Sequence, residues 1–266
     1  MLSSPPSMEK LRWIMQQLRD PQTGCPWDIK QTFNSIVPHT IEEAYEVADA
    51  IEQGDFTELE KELGDLLFQV VFYSQLGEEE KCFDFDTVVA AICEKLIRRH
   101  PHVFSSEVLK TDAEIKANWE NEKAKERQNK NHNKPLSILA DIPRNLPALS
   151  QAAKIQKRCS HVGFDWDNID DVFAKVVEEV QEVKAELHHH ETALAEELGD
   201  LMFAVVNLCR HAKQDPENLL RQANKKFTKR FHGVEAQVDG SDKDFQQHSL
   251  SELEGYWQQV KIAEKS

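Results

Sequence analysis

Glu42-Glu43-Ala44-Tyr45-Glu46, followed by Glu62-Leu63-Gly64-Asp65, returns later as Glu178-Glu179-Val180-Gln181-Glu182 followed by Glu197-Leu198-Gly199-Asp200. The step between the two blocks is nearly unchanged: 16 positions from Glu46 to Glu62, and 15 from Glu182 to Glu197. Residues three or four apart share one helix face, so each block points several acids in one direction. Two such helices packed antiparallel focus four or five carboxylates on one point. Unneutralised, that cluster repels itself, so a cation is its natural guest. A solvated acidic face accounts for a single Glu-rich helix, but less well for two copies at a kept spacing.

The apolar residues around the acids carry the helical period. Ile41, Ala44, Tyr45, Ala48 and Ile51 fall on one stripe, with Glu42, Glu43, Glu46 and Asp49 opposite. This predicts an amphipathic helix that turns its acids away from the bulk core. Leu59, Leu63, Leu66, Leu67, Val70 and Val71 continue the period after a break at Gly54-Asp55. In the second half Val176, Val177, Val180, Val183 and Leu187 form one stripe, and Leu194, Leu198, Leu201, Met202 and Val205 the next. Asp215-Pro216-Glu217 reads as a helix start, with a capping Asp and Pro in the first turn. The glycine inside each Glu-Leu-Gly-Asp costs a helix about 1 kcal/mol against Ala. A close approach by the facing helix would explain it.

The repeat reaches beyond the acids. Cys25-Pro26-Trp27-Asp28 matches Gly163-Phe164-Asp165-Trp166-Asp167 at the Trp-Asp step, and Trp119 and Lys123 match Trp257 and Lys261. A period this long means a duplicated domain, not a solenoid. The chain is therefore read as all-α, with two tandem helical bundles at 9–125 and 146–266. Residues 1–8 are expected to be disordered and the polar stretch 126–145 to be a linker. Gly240-Ser241-Asp242 marks a loop before the last helix.

Composition narrows the function. The net charge of −15 argues against broad binding to nucleic acid. Only nine Gly are present and none forms a phosphate-cradling loop. The five Cys form no C-x-x-C pair and read as reduced thiols of a cytoplasmic protein. Cys25 is taken as a packing residue, since no organised base is evident near it. The start, MLSSPPSMEK, has no apolar signal core, and no apolar run approaches the ~20 residues of a membrane span.

All-carboxylate sites suit Mg²⁺, Mn²⁺ or Ca²⁺. No His stands in the cassette, which argues against Zn²⁺, and Glu-x-x-Asp replaces the Glu-x-x-His of di-iron bundles. Each half also places a Lys and an Arg on one helix face, Lys95 with Arg99 and Lys226 with Arg230. Such pairs suit a polyphosphate. Trp119 and Trp257 are candidates for base stacking. His188-His189-His190 reads as an exposed polar turn between the acidic helices.

These motifs, with CPWD, ELGDLLFQVVFY, RRHPHVF, DIPRNLPAL and GFDW, resemble the full-length two-domain MazG-type nucleoside triphosphate pyrophosphohydrolases from end to end. The resemblance implies an all-α pyrophosphatase fold, Mg²⁺ dependence with Mn²⁺ as a substitute, and a homodimer. It also implies hydrolysis of nucleoside triphosphates, modified ones included, to monophosphate and pyrophosphate. Carried over, it makes Glu179, Glu182, Glu197 and Asp200 the metal ligands, with Glu43, Glu46, Glu62 and Asp65 a weaker set in the first half. Lys175, Glu196, Lys226, Arg230 and Trp257 become the nucleotide side of the site. Related folds cut dUTP or phosphoribosyl-ATP by the same acidic chemistry, and a Mg²⁺-responsive binding protein is the rival outside the enzyme class. The acidic surface also leaves room for a regulatory protein partner.

Two differences make the second half the expected working site. Lys175 stands where the first half has His39, and Glu196 where it has Lys61, a reversal of charge beside the acids. Glu178 is the expected general base, next to the ligand face but outside the ligand set.

Overall fold

The computed structural model describes residues 2, 4–106, 108–130, 137–189 and 191–264. The helices of the first half are α1 (Met8–Leu18), α2 (Pro26–Ile29), α3 (Phe33–Gln53), α4 (Phe56–Glu79), α5 (Phe85–Arg99), α6 (Pro101–Phe104) and α7 (Asp112–Lys130). Those of the second are α8 (Ala148–Ser160), α9 (Ile169–Glu186), α10 (Glu191–His211), α11 (Pro216–Asp239) and α12 (Leu250–Ala263). Among the described residues there is no strand. The chain divides into two compact units, Met1–Lys125 and Glu126–Ser266. Among the described residues no helix is long and apolar enough to cross a membrane.

Local chemistry sets the helix ends. Gly54 takes φ +71° beyond α3, a left-handed conformation that glycine adopts without strain. Asp55 then caps α4, accepting from the backbone N–H groups of Thr57 and Glu58 at 3.0 Å each. Asp215 caps α11 through Asn218 N at 2.8 Å, with Pro216 in the first turn. Residues 1 and 3 of the expected disordered start and 131–136 of the expected linker lie outside the described residues. Helix α7 runs on to Lys130, so the first positions assigned to the linker are helical.

The tightest pairings are the hairpins α3–α4 and α9–α10, with α1 and α8 laid against α4 and α10. The first unit has a core of Met15, Ile36, Val71, Phe72 and Leu76. Arg19 lies with its guanidinium carbon 5.3 Å from the centre of the Phe72 ring and donates to both carboxylate oxygens of Glu79. Phe72 is 1% exposed. Phe72→Ala is expected to destabilise this unit by about 3–5 kcal/mol, read as a lowered urea midpoint. A loss below about 1 kcal/mol would mean that the neighbours collapse into the space.

Two sequence expectations are overturned here. The apolar stripes of α3 and α9 reach the chain's own core only in part: Ile41, Tyr45, Ile51, Val177 and Val180 are exposed and Ala48, Val176 and Val183 half-buried, whereas Glu179 is buried and Glu43 half-buried. Periodicity locates a stripe but not the side on which the partner helix lies, and α4 and α10 pack on the side of Glu43 and Glu179. No facing helix approaches the glycines of Glu-Leu-Gly-Asp either. A Cβ at Gly64 or Gly199 would meet nothing within 4 Å.

Candidate active site

Helices α9 and α10 gather Glu179, Glu182 and Glu197, with one carboxylate oxygen from each lying within 4.8 Å of the others. Asn168 caps α9 through Asp171 N at 2.9 Å, which fixes where the helix starts and so which residues meet α10. Glu179 is 4% exposed. Lys175 Nζ lies 2.6 Å from its Oε1 and 2.9 Å from Glu178 Oε1. Those two carboxylates raise the Lys175 pKa, so the ammonium stays charged. Glu179 Oε2 is buried with no hydrogen-bond partner. A buried polar oxygen left without a partner costs free energy, and the neighbouring acids Glu182 and Glu197 bring further carboxylate oxygens to this carboxylate. Partial desolvation, then the charge of Glu179, pushes the Glu182 pKa up. An all-oxygen set with an orphaned buried oxygen fits a hard divalent cation such as Mg²⁺ or Mn²⁺.

Asp200 is exposed, on α10 one turn beyond Glu197, and is not one of the three clustered acids. It lines a cavity of about 460 Å³ together with Lys175 and Glu179. The cavity runs on between α8 and α10 past Gln156, Phe164, Trp166, Phe203 and Asn207. Glu178 is exposed and paired with Lys175. Glu196 is exposed on α10.

The first half repeats the cluster with a different membership. Glu43, Glu62 and Asp65 come within 4.8 Å of one another, and Glu46 is not among them. Burial, then the charges of Asp65 and Glu46, raises the Glu43 pKa. Desolvation, then Glu46 and Glu58, raises that of Glu62. His39 stands 3.6 Å from Glu42, and Lys61 is bound to Glu58 at 2.6 Å. Lys61 also feels the charge of Glu62, but neither residue forms with the clustered acids an ion pair like that of Lys175 with Glu179.

Arg230 and Trp257 are brought together elsewhere in the second half, on α11 and α12. The Arg230 guanidinium carbon lies 5.8 Å from the centre of the Trp257 ring, its Nε donates to Glu264 Oε2 at 2.8 Å, and Phe227 packs on the same indole. Lys226 is exposed on α11. Both side chains of Arg230's contacts belong to α12 or follow it, so the structure assembles two clusters, one acidic and one cationic-aromatic. In the first half Trp119 donates to the carbonyl of Arg99 at 2.9 Å and packs on His100, a structural role. His188 and His189 are exposed, and His190 lies outside the described residues.

The comparisons with known proteins coincide with this geometry. The model of the MazG nucleotide pyrophosphohydrolase domain matches residues 31–104 and again 168–235, each range holding one acidic hairpin. The chain is 50% identical over 260 residues to the nucleoside triphosphate pyrophosphohydrolase of Escherichia coli K12, spanning 97% of this chain and 98% of that protein. The chain belongs to the MazG family. This MazG chain is thus a hydrolase of the nucleotide pyrophosphohydrolase class. It is also 40% identical over 253 residues to the nucleoside triphosphate pyrophosphohydrolase/pyrophosphatase MazG of Thermotoga maritima, covering 95% of each. A solved MazG-related protein from Thermotoga maritima, 26% identical, covers 44% of this chain at a TM-score of 0.38 and 98% of its own length. In the MazG frame, Gln156, Phe164, Asp165, Trp166 and Trp257 fall outside the matched ranges. Sequence reading gave no role to Gln156, Asn207 or Arg210. The one available signal was Asn207, a polar residue inside the apolar run Val205-Val206-Asn207-Leu208.

Proposed function

We propose that the second half hydrolyses nucleoside triphosphates to monophosphate and pyrophosphate with Mg²⁺, or Mn²⁺ in its place, broadly across bases and including modified nucleotides. The observation that carries this reading is Glu179, buried on α9 with a bare oxygen beside Glu182 and Glu197 and an open cavity next to it. Glu179, Glu182 and Glu197 would hold the ion, with Asp200 completing the set from the cavity wall. Bound there, the ion supplies charge neutralisation on the phosphates and a means of activating water.

The remaining work falls to side chains of this chain. Lys175 neutralises Glu179 and Glu178 and keeps α9 folded around its acids. Glu178 accepts the proton of the attacking water, at a carboxylate that the Lys175 ammonium holds in place. Glu196 completes the acidic wall of α10. Lys226 and Arg230 receive the phosphates beyond the scissile bond, and Trp257 backs the Arg230 guanidinium by a cation–π contact. For Arg230 this means exchanging Glu264 for phosphate.

The exposed stripes of α9 and α10, with Val177, Val180, Leu198 and Met202, support a homodimer. Five free cysteines support a cytoplasmic setting.

The test is pyrophosphate release over a panel of standard and modified triphosphates, with and without Mg²⁺. Release only with Mg²⁺ upholds the reading; none from any nucleotide overturns it. Glu178→Gln is expected to lower kcat by about 10²–10⁴-fold while Mg²⁺ and substrate binding hold. Loss of Mg²⁺ binding instead would make Glu178 a ligand.

A further inference from the structure

We infer that Glu264 is an internal rival of phosphate: its carboxylate holds Arg230 and has to let go before a triphosphate or pyrophosphate can bind there. This rests on the proposed function, which puts phosphates on Lys226 and Arg230, and adds an autoinhibitory contact to it.

The carboxylate meets its cations as an anionic ligand does. Arg230 Nε donates to Glu264 Oε2 at 2.8 Å, and Lys229 Nζ lies 3.9 Å from Oε1. The charge of Lys226 reaches the same group. The hydrogen bond from Arg230 holds the Glu264 carboxyl below the usual carboxylate range, so it stays anionic at neutral pH. A guanidinium uses the same N–H donors for a carboxylate as for a phosphate. The two anions therefore exclude each other at Nε.

Arg230 does not need Glu264 to stay in place. Its guanidinium carbon lies 5.8 Å from the centre of the Trp257 ring, and Phe227 packs on that indole. Once released, the cation still has the ring face to rest on.

The clasp can open without parting the two helices. Gln237 donates to the carbonyl of Tyr256, Gly233 meets Val260, and Arg230 meets Glu264, so α11 and α12 run antiparallel. At Gly233 an added Cβ would lie 2.8 Å from Val260 Cγ2, which makes this a close crossing. Glu264 follows the last residue of α12, one turn beyond Val260. Fraying that turn frees Arg230 while the crossing at Gly233 holds. The side chains of Arg230 and Glu264 are 21% and 23% exposed, so a ligand can reach both. A partly exposed ion pair shifts an equilibrium by no more than about fivefold. A ligand that needs the open form loses affinity by the fraction of chains that are open. The contact thus tunes affinity and does not abolish it.

The experiment uses the full chain and Glu264→Gln. Glu254→Gln, at an exposed acid of the same helix, controls for net charge. Calorimetry with inorganic pyrophosphate and Mg²⁺ is paired with kcat and KM for the four standard triphosphates, and circular dichroism checks folding. Glu264→Gln is expected to tighten pyrophosphate binding and lower KM about threefold, with kcat within about twofold. Glu254→Gln is expected to match wild type. In an Arg230→Ala background the gain from Glu264→Gln is expected to vanish, since the contact is already gone. Turnover with unchanged affinity in a folded Glu264→Gln overturns the clasp alone. Weaker binding and a raised KM also overturn it and make Glu264 a positioning residue for Arg230. An equal gain in Glu254→Gln overturns it as well, because net charge then accounts for the effect. A chain that turns over no triphosphate, yet binds pyrophosphate more tightly as Glu264→Gln, overturns the hydrolase reading alone. A chain that neither turns over triphosphates nor binds pyrophosphate overturns both.

Discussion

Glu179→Gln is expected to lower Mg²⁺-dependent pyrophosphate release by about a hundredfold or more. Glu179 is the one acid of the cluster that the fold buries, and its second oxygen has no donor. An amide of the same shape removes the charge and places either an N–H or a neutral oxygen where a hard cation needs an anionic one. The fold survives the exchange, because Lys175 keeps Glu178 as a partner at 2.9 Å and the volume is unchanged. The measurement is pyrophosphate release at saturating Mg²⁺, with circular dichroism as the control for folding. A folded variant within about threefold of wild type would remove Glu179 from the site and with it the main support for the proposed function.

Asp200→Ala and Asp65→Ala are expected to part company by about two orders of magnitude, since removal of a single group that stabilises the transition state costs about 10²–10³ in kcat. Asp200 lines the same cavity as Lys175 and Glu179. Asp65 belongs to a cluster that Gln69 touches through Glu43, and none of its three acids has an ion pair like that of Lys175 with Glu179 among the described residues. Its removal also relieves repulsion, since Asp65 helps push the Glu43 pKa up. Asp65→Ala is therefore expected to stay within about threefold of wild type in kcat/KM. Turnover kept in Asp200→Ala would move the chemistry out of the second half. Turnover lost in a folded Asp65→Ala would give the first half a share of it.

Much of this was legible in the residues. The doubled acidic blocks give the doubled hairpins α3–α4 and α9–α10, and Gly54-Asp55 and Asp215-Pro216 end and start helices where they stand. The inward face was not legible, because α9 offers two usable stripes. Val177 and Val180 turn out, and Glu179 turns in, by the placement of α10. The acids that meet also differ from the expected four, since Asp200 stays out of the clustered three. Gln156 and Asn207 carry no spacing signature at all. They are 51 positions apart and share a cavity only because α8 packs on α10.

The open glycines are a feature that both hairpins share. Inside, the two copies differ: Gln69 against Ala204, and Phe72 against Asn207. Outside, each carries an exposed glycine in mid-helix, Gly64 and Gly199, although no atom beyond the glycine's own stretch of helix lies within 4 Å of where a methyl would sit. Neither notch answers to a neighbour within the fold, and both are retained at a helix penalty of about 1 kcal/mol apiece. The penalty is thus uncompensated by the packing of either unit, and each hairpin keeps a bare strip of helix backbone on its outer face.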